Sequence, residues 1–335
     1  MLGLCTAVLT AAALHWAEAV LAPVAFALFA VALAWPVQRA AQARVPQALA
    51  LLATMLVTLV VLVILALAIG WGFGRVARWV VANAGPLQLL YAQKLDWLEG
   101  QGIAAAAALG GQFDVRRLVQ VAQAVILRLQ GVVSFLGLTL VFVILGLLEV
   151  EVAGRQLERL GQNRPAAAGL LRALRRSGAK LHAYMLVRTA MSLATGIAVW
   201  AFARLVGLEL AAEWGVIAFV LNYIPFIGSL LATLFPTLFA VLQFGTWQAA
   251  ITVFLALQAI QFLSGSYLEP RLAGARLALS PFMVLVAVFL GALLWGIPGA
   301  FIGVPALIVA LTLCEEFEGS RWVAELLSGR EPGGG

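Results

Sequence analysis

Apolar residues run through this chain in stretches longer than a soluble helix uses. The first covers positions 2–35 and is interrupted only by His15, Glu18 and Pro23. A membrane-spanning helix needs about 20 apolar residues, or ~30 Å. The first stretch is too long for one helix and reads as a tight pair near 2–15 and 19–35. The cleanest span follows at 47–70, where LALLATMLVTLVVLVILALAIG carries no charge. Further spans are expected at 132–148, 183–206, 214–244, 247–263 and 281–314, which makes about eight.

Between 71 and 130 the pattern changes. Arg75, Arg78, Lys94, Asp96, Glu99, Asp114, Arg116, Arg117 and Arg128 fall among leucines, valines and tryptophans. Val115, Leu118, Val119, Ala122, Val125, Ile126 and Leu129 recur at helical intervals. Two or three amphipathic helices outside the hydrocarbon are expected, separated at Gly85-Pro86 and Gly110-Gly111. Their apolar stripe must be covered, by packing within a subdomain or by another copy of the chain. The span at 132–148 ends at Glu149 and Glu151, and the next loop holds Arg155, Arg159, Arg164, Arg172, Arg175, Arg176 and Lys180. Basic loops lie on the cytoplasmic side. Arg39 and Arg44 then also fall inside, the amphipathic region falls outside, and both termini are cytoplasmic. Arg188, one turn into the next span, is expected to snorkel to that interface. The expected regions are an N-terminal three-span unit (1–70), the amphipathic insert (71–130), two spans with the basic loop (131–206), a C-terminal transport core (207–314) and a tail (315–335).

Two stretches are too long to cross straight. Residues 281–314 would extend ~51 Å as one helix, beyond what tilt absorbs. LLWGIPGAFIGVP marks the break with Gly296, Pro298, Gly299, Gly303 and Pro305. In LNYIPFIGSLLATLFP (221–236) the break falls at Pro225 and Gly228, and Ile-Pro and Phe-Ile-Gly occur at both places. Proline frees a carbonyl, and a freed group in lipid must be buried in protein or line a wet cavity. A packed proline kink is the simpler account; paired breaks in overlong segments point instead to a solute path. Asn222 and Ser229 flank the first break, and Thr233 follows. Gln258 and Gln261 share a helical face three residues apart, with Ser264 and Ser266 just beyond. Amides and hydroxyls suit a polyhydroxylated small-molecule solute or a monovalent cation. The candidate path is therefore Asn222, Pro225, Gly228, Ser229, Gln258, Gln261, Ser264, Ser266, Gly296, Pro298 and Gly299.

Composition agrees with the pattern. Of 335 residues, 64% are hydrophobic and 11% charged, against about 25% charged in soluble domains. This is an all-α integral membrane protein in contact with membrane lipids. The net charge of +6 resides in loops between apolar runs rather than on a polar surface, so nucleic acid is not an expected partner. The opening MLGLCTAVLTAAALHWAEA imitates a signal sequence, with AEA at 17–19. No Lys or Arg precedes its apolar core, so retention as a span is expected. Cys5 and Cys314 form neither a disulfide framework nor a metal site. The spans lack aspartate, the only histidines are His15 and His182, and neither lysine sits in a phosphate-binding G-x-x-x-x-G-K-[ST] motif. No catalytic residue, cofactor or metal is expected, and the chain is not read as an enzyme. No acid lies at mid-membrane in the C-terminal half, which argues against a proton relay there.

Three stretches resemble the autoinducer-2 exporter (AI-2E) family of bacterial inner-membrane transporters. NYIPFIG (222–228) is similar to its N-[FY]-[IV]-P-x-[IV]-G. QFLSGSYLEPRLAGARLALSP (261–281) fits its link pattern at Gln261, Gly265, Pro270, Gly274, Leu279 and Pro281. GALLWGIPGAFIGVPALIVA (291–310) resembles its terminal glycine pattern at Gly291, Gly296, Gly299 and Pro305. Where that family tends to carry Glu and Asn in E-G-N, this chain has Ser264 and Ser266. That puts cation coupling at this position in doubt, and Glu269, directly before Pro270, does not simply replace the acid. The resemblance implies secondary or passive movement of a small solute, with autoinducer-2 export as the leading reading and Na+(Li+)/H+ antiport as its rival. It also suggests a homo-oligomer, with five copies as the candidate number. A structural membrane scaffold is the reading from another class, and it would not need matched helix breaks.

Overall fold

The computed structural model describes residues 2–100, 115–268, 271 and 279–327, and every regular element among them is helical. The chain forms α1 (Leu2–Trp16), α2 (Glu18–Gln42), α3 (Gln47–Ala82), α4 (Ala84–Gly100), α5 (Val115–Asn163) and α6 (Pro165–Val206). It continues with α7 (Ala211–Leu221), α8 (Ile227–Phe244), α9 (Trp247–Phe262), α10 (Pro281–Glu316) and α11 (Arg321–Leu327). Among the described residues, seven helices are long and apolar enough to cross a membrane. Of the N-terminal pair only α2 has that length: α1, at 15 residues, reaches about 22 Å.

The helices run past the hydrocarbon in places where loops were expected. α3 continues from Gly70 to Ala82, and the chain then turns at Asn83, whose Nδ2 donates to the Trp79 carbonyl at 2.8 Å. Gly85 and Pro86 therefore lie in the first turn of α4 instead of separating two helices; Gly110-Gly111 falls outside the described residues. α5 is one helix of 49 residues, about 74 Å long, unbroken at Gly131 and at Glu149 and Glu151. It meets α6, of 42 residues, at Arg164 and the N-terminal Pro165. The basic segment is thus a helical hairpin and not a loop. Its alanines, leucines, arginines and glutamines are strong helix formers; the charges mark where the chain leaves the apolar layer, not where the helix stops. Arg175 pairs with Glu158 across the two arms. Glu151 accepts the side-chain amides of Gln42 at 2.7 Å and Gln47 at 2.6 Å, which ties the α2–α3 turn to the same end.

The two overlong C-terminal stretches do more than kink: each reverses direction. In one straight helix Trp214 and Phe239 would be about 37 Å apart, yet their ring centroids are 5.2 Å apart. Gln243 accepts from the Glu209 amide at 2.8 Å and donates to the Gly207 carbonyl at 2.9 Å, closing the base of the α7–α8 hairpin. In α10 the helical dihedrals fail at Trp295 (φ −135°, ψ 23°) and Gly296 (φ 60°, ψ −139°). A Cβ on Gly299 would overlap the Gly291 carbonyl, and one on Gly303 the Ala287 carbonyl. Positions 287 and 303 would be about 24 Å apart on a straight helix, so 281–294 and 297–316 lie antiparallel as a second hairpin. Small residues four apart on each arm, Ala287 and Gly291 against Gly299 and Gly303, allow the close backbone approach used between membrane helices.

The hairpins come from opposite ends of α6. The base of the first lies by Val206, where Arg75 Nε of α3 meets the buried Glu213 Oε1 at 3.1 Å and Trp79 donates to Glu209 at 2.8 Å. The base of the second lies at the basic end. There Arg172 and Arg176 hold Glu316 at 2.6 and 3.0 Å, and Lys180 holds Glu315 at 2.7 Å. Between these ends the first tip meets the outgoing arm of the second hairpin: Tyr223 stacks on Phe301 with centroids 5.5 Å apart, and Ile224 packs in one cluster with Ile302 and Val304.

Gly228→Ala and Gly299→Ala should each lower stability by about 3 kcal/mol or more, since the added methyl meets a carbonyl that cannot move aside. Gly137→Ala, with open space around it, should be neutral or stabilising by up to about 1 kcal/mol. Thermal unfolding in detergent measures all three, and equal midpoints would contradict the packed hairpin arms.

Candidate functional site

The site starts from the backbone that Pro225 interrupts. α7 ends at Leu221, and the tip is closed by Ile224 N–H on the Leu221 carbonyl at 2.9 Å and Gly228 N–H on the Ile224 carbonyl at 2.9 Å. Between them Ile227 N–H donates to the Pro225 carbonyl at 2.7 Å across Phe226, whose φ is 62° and ψ −60°. This is the γ-turn of positive φ, rare and strained for a side-chain-bearing residue. The Phe226 carbonyl accepts from Ser229 Oγ at 3.1 Å, and the Ser229 carbonyl from Thr233 at 3.0 Å. The tip is fastened sideways to α6. Asn222 Nδ2 donates to Ser192 Oγ at 3.2 Å, and the Tyr223 hydroxyl to Thr189 Oγ1 at 2.9 Å.

The far wall comes from α9. Past Phe262 it widens into a π-helical turn, Leu263–Leu268, a deformation that recurs at functional sites. Buried Ser264 accepts from Thr195 Oγ1 of α6 at 2.9 Å. Gln261, 8% exposed, has no hydrogen-bond partner among the described residues for its Nε2. Between the tip, the wide turn and α6 lies a cavity of about 710 Å³, lined by Asn222, Pro225, Ser229, Gln258, Gln261, Ser264 and Ser266 together with Phe226, Leu230 and Gly265. The second hairpin closes it with Pro281, Val284 and Val304.

Seven of the eleven candidate path residues thus share one cavity. The other four do not line it. Gly228 and Gly299 lie where the arms of the two hairpins touch; Gly296 makes the reversal of the second tip, and Pro298 begins its outgoing arm. That tip is held by α1: His15 Nδ1 donates to the Leu294 carbonyl at 2.8 Å and Trp295 Nε1 to the Leu14 carbonyl at 3.0 Å.

Arg188 is the main correction to the sequence reading. It does not snorkel: it is buried, 5% exposed, and lines the cavity. Insertion scales put a charge at the centre of a membrane helix at about 2.5–3.5 kcal/mol, so such a residue is kept for a reason. It belongs to a stripe on α6 that sequence reasoning missed. Arg188, Ser192 and Thr195 fall at i, i+4 and i+7, and Thr189 stands beside them. Polar residues at helical spacing inside an apolar span were the available signal. Arg188 is the only charged side chain among the described residues lining the cavity; Glu269 lies outside the described residues. Among those residues no group of three or more His, Cys, Asp or Glu is placed to hold a metal.

The chain is similar to known transport proteins over most of its length. The family model described as "AI-2E family transporter" matches residues 4–319. "AI-2 transport protein TqsA" of Escherichia coli (strain K12) is 28% identical over 331 residues, covering 98% of this chain and 94% of that protein. "Putative transport protein YhhT" of the same organism is 30% identical over 223 residues, 66% of this chain and 62% of that protein.

Cysteine chemistry tests whether water reaches the cavity. With Cys5 and Cys314 replaced by serine, Ser229→Cys and Ser266→Cys should react with a charged methanethiosulfonate reagent. Thr312→Cys, at a position 1% exposed and packed within α10, should not. Unreactive Ser229→Cys and Ser266→Cys would mean a cavity sealed from water.

Proposed function

The chain belongs to the AI-2E family of transporters, and on that footing we propose that it carries a small polar solute across the bacterial inner membrane. The solute binds in the cavity beside the first hairpin tip. The observation that carries this reading is the meeting of two hairpins of opposite direction next to one polar cavity. Backbone that is not helical survives at membrane depth only when buried in protein or facing water, and broken helices at such a depth are where transporters hold solute. Each hairpin is fastened to the rest of the fold at its own base, by Arg75 and Glu213 or by Lys180 and Glu315. Movement of either tip about its base would open the cavity toward one side. Phe226, held in a strained turn, supplies backbone with a second conformation within reach.

Autoinducer-2 is the first solute to try, because the relative similar over 98% of this chain is named for its transport. Antiport of Na+ or Li+ for H+ is the second reading, and nothing in the described lining favours it. The described residues of the lining offer an arginine and neutral amides and hydroxyls, and among them is no carboxylate to coordinate a cation or pass a proton. A passive scaffold would have no use for a polar cavity at a strained tip. The protein acts as a homo-oligomer in this reading, and lipid covers the apolar face that α3 presents with Leu52, Leu56, Val60 and Ile64 exposed.

Purified protein reconstituted in liposomes should take up labelled autoinducer-2 saturably. Asn222→Ala, which removes the bond to Ser192, and Pro225→Ala, which lets α7 extend, should each lower the rate at least about tenfold, a loss of ~1.4 kcal/mol. The assay is run with and without sodium and pH gradients. Flux untouched by both substitutions would remove the solute from this cavity. Sodium- or lithium-dependent proton movement without autoinducer-2 flux would move the reading to antiport.

A further inference from the structure

Thr189, Ser192 and Thr195 stand three residues apart on α6, within about 9 Å along its axis. Each pairs with another part of the site. Thr189 Oγ1 accepts from the Tyr223 hydroxyl at 2.9 Å and Ser192 Oγ from Asn222 Nδ2 at 3.2 Å, both at the first tip. Thr195 Oγ1 donates to Ser264 in the wide turn beyond α9 at 2.9 Å. Other buried threonines behave differently: Thr54, Thr139, Thr233 and Thr312 each donate to the carbonyl four residues back in their own helix. Asn222 and Ser264 line the cavity, whereas the three α6 residues are not among its lining. Their hydroxyls hold the wall and do not face the solute.

The first hairpin is therefore fastened in two ways. At its base the bond between Arg75 and Glu213 is charge-assisted, roughly twice as strong as a neutral one. At its tip the bonds to α6 are neutral, and they hold backbone strained at Phe226, where φ is 62°. Neutral hydroxyls also suit bonds that must break. A released serine or threonine rotates toward a carbonyl of its own helix, so parting strands no hydroxyl at membrane depth.

We propose that Thr189, Ser192 and Thr195 are positioning residues for transport: a catch on α6 that holds the first tip and the wide turn in place and opens in each cycle. This rests on the reading of the cavity as the solute site. Val304 of the second hairpin is what the opening uncovers. It is 1% exposed, lines the cavity and packs in one cluster with Ile224 of the tip.

Val304→Cys, with Cys5 and Cys314 replaced by serine, reports that opening as its rate of reaction with a charged methanethiosulfonate reagent. The rate is measured in liposomes without added solute. Thr189→Val, Ser192→Ala and Thr195→Val should each raise it about fivefold, the population shift that loss of one neutral hydrogen bond brings. Thr189→Ser and Thr195→Ser keep the hydroxyl and should leave the rate unchanged. Thr139→Val removes a hydroxyl as buried as those of Ser192 and Thr195, bonded only to the Phe135 carbonyl within α5. It should also leave the rate unchanged, which separates the catch from general loosening of the fold. Rates unmoved by the three substitutions, a rise matched by Thr139→Val, or a rise in the serine variants overturns the proposal. The transport reading fails separately. Autoinducer-2 flux that ignores Asn222→Ala and Pro225→Ala sinks that reading, whereas flux that responds to them beside an unmoved Val304→Cys rate sinks the catch alone.

Discussion

A backbone N–H or carbonyl left unpaired in hydrocarbon costs several kcal/mol, and the arrangement of the C-terminal half follows from avoiding that penalty twice. Reversing a helix at membrane depth exposes such groups. The first tip absorbs them locally, through the short bonds around Phe226 and the hydroxyl of Ser229. The second uses α1, where His15 takes up the Leu294 carbonyl and Trp295 the Leu14 carbonyl in exchange. That reciprocal pair gives a role to a helix too short to cross and to the histidine near its end.

Close packing makes the reversal possible. Gly299 and Gly303 leave room for the carbonyls of Gly291 and Ala287, and Gly228 for that of Leu221. At the α6–α7 crossing a Cβ on Gly196 or Gly215 would stand 2.9 Å from the other's carbonyl. α6 thereby becomes the element on which the site is assembled. One face of it meets the first hairpin tip through Thr189 and Ser192, the wide turn through Thr195, and the cavity through Arg188. Its basic end grips the second hairpin through Glu315 and Glu316. A single long helix therefore relates both hairpins and the polar cavity beside the first tip.

The long extensions of α3, α5 and α6 have a related effect. Charges that leave the apolar layer on continuing helices keep fixed positions relative to the spans, which mobile loops would not allow. Arg75 reaches Glu213, and Lys180 reaches Glu315, because each stands on a helix that does not end at the interface. The buried glutamate at one base and the arginine-held glutamate at the other fasten the two hairpins at opposite sides of the bundle.

By itself the sequence determined the membrane setting, the helical class and the places where two C-terminal segments had to break. Each of these depends on local quantities: run length, charge content, and the missing N–H of proline. It also named most of the cavity's polar wall, since Asn222, Ser229, Gln258, Gln261, Ser264 and Ser266 stand out in apolar surroundings. Only the tertiary structure decided that the breaks reverse the chain. Whether a Gly/Pro break kinks or folds back depends on which backbone the glycines meet, and Gly291 and Gly299 meet only once the turn at Gly296 has closed. The fate of Arg188 was likewise not local. At its place in the chain it could reach the interface or turn inward, and the cavity that receives it is built by residues more than thirty positions away, at Asn222 and Gln261.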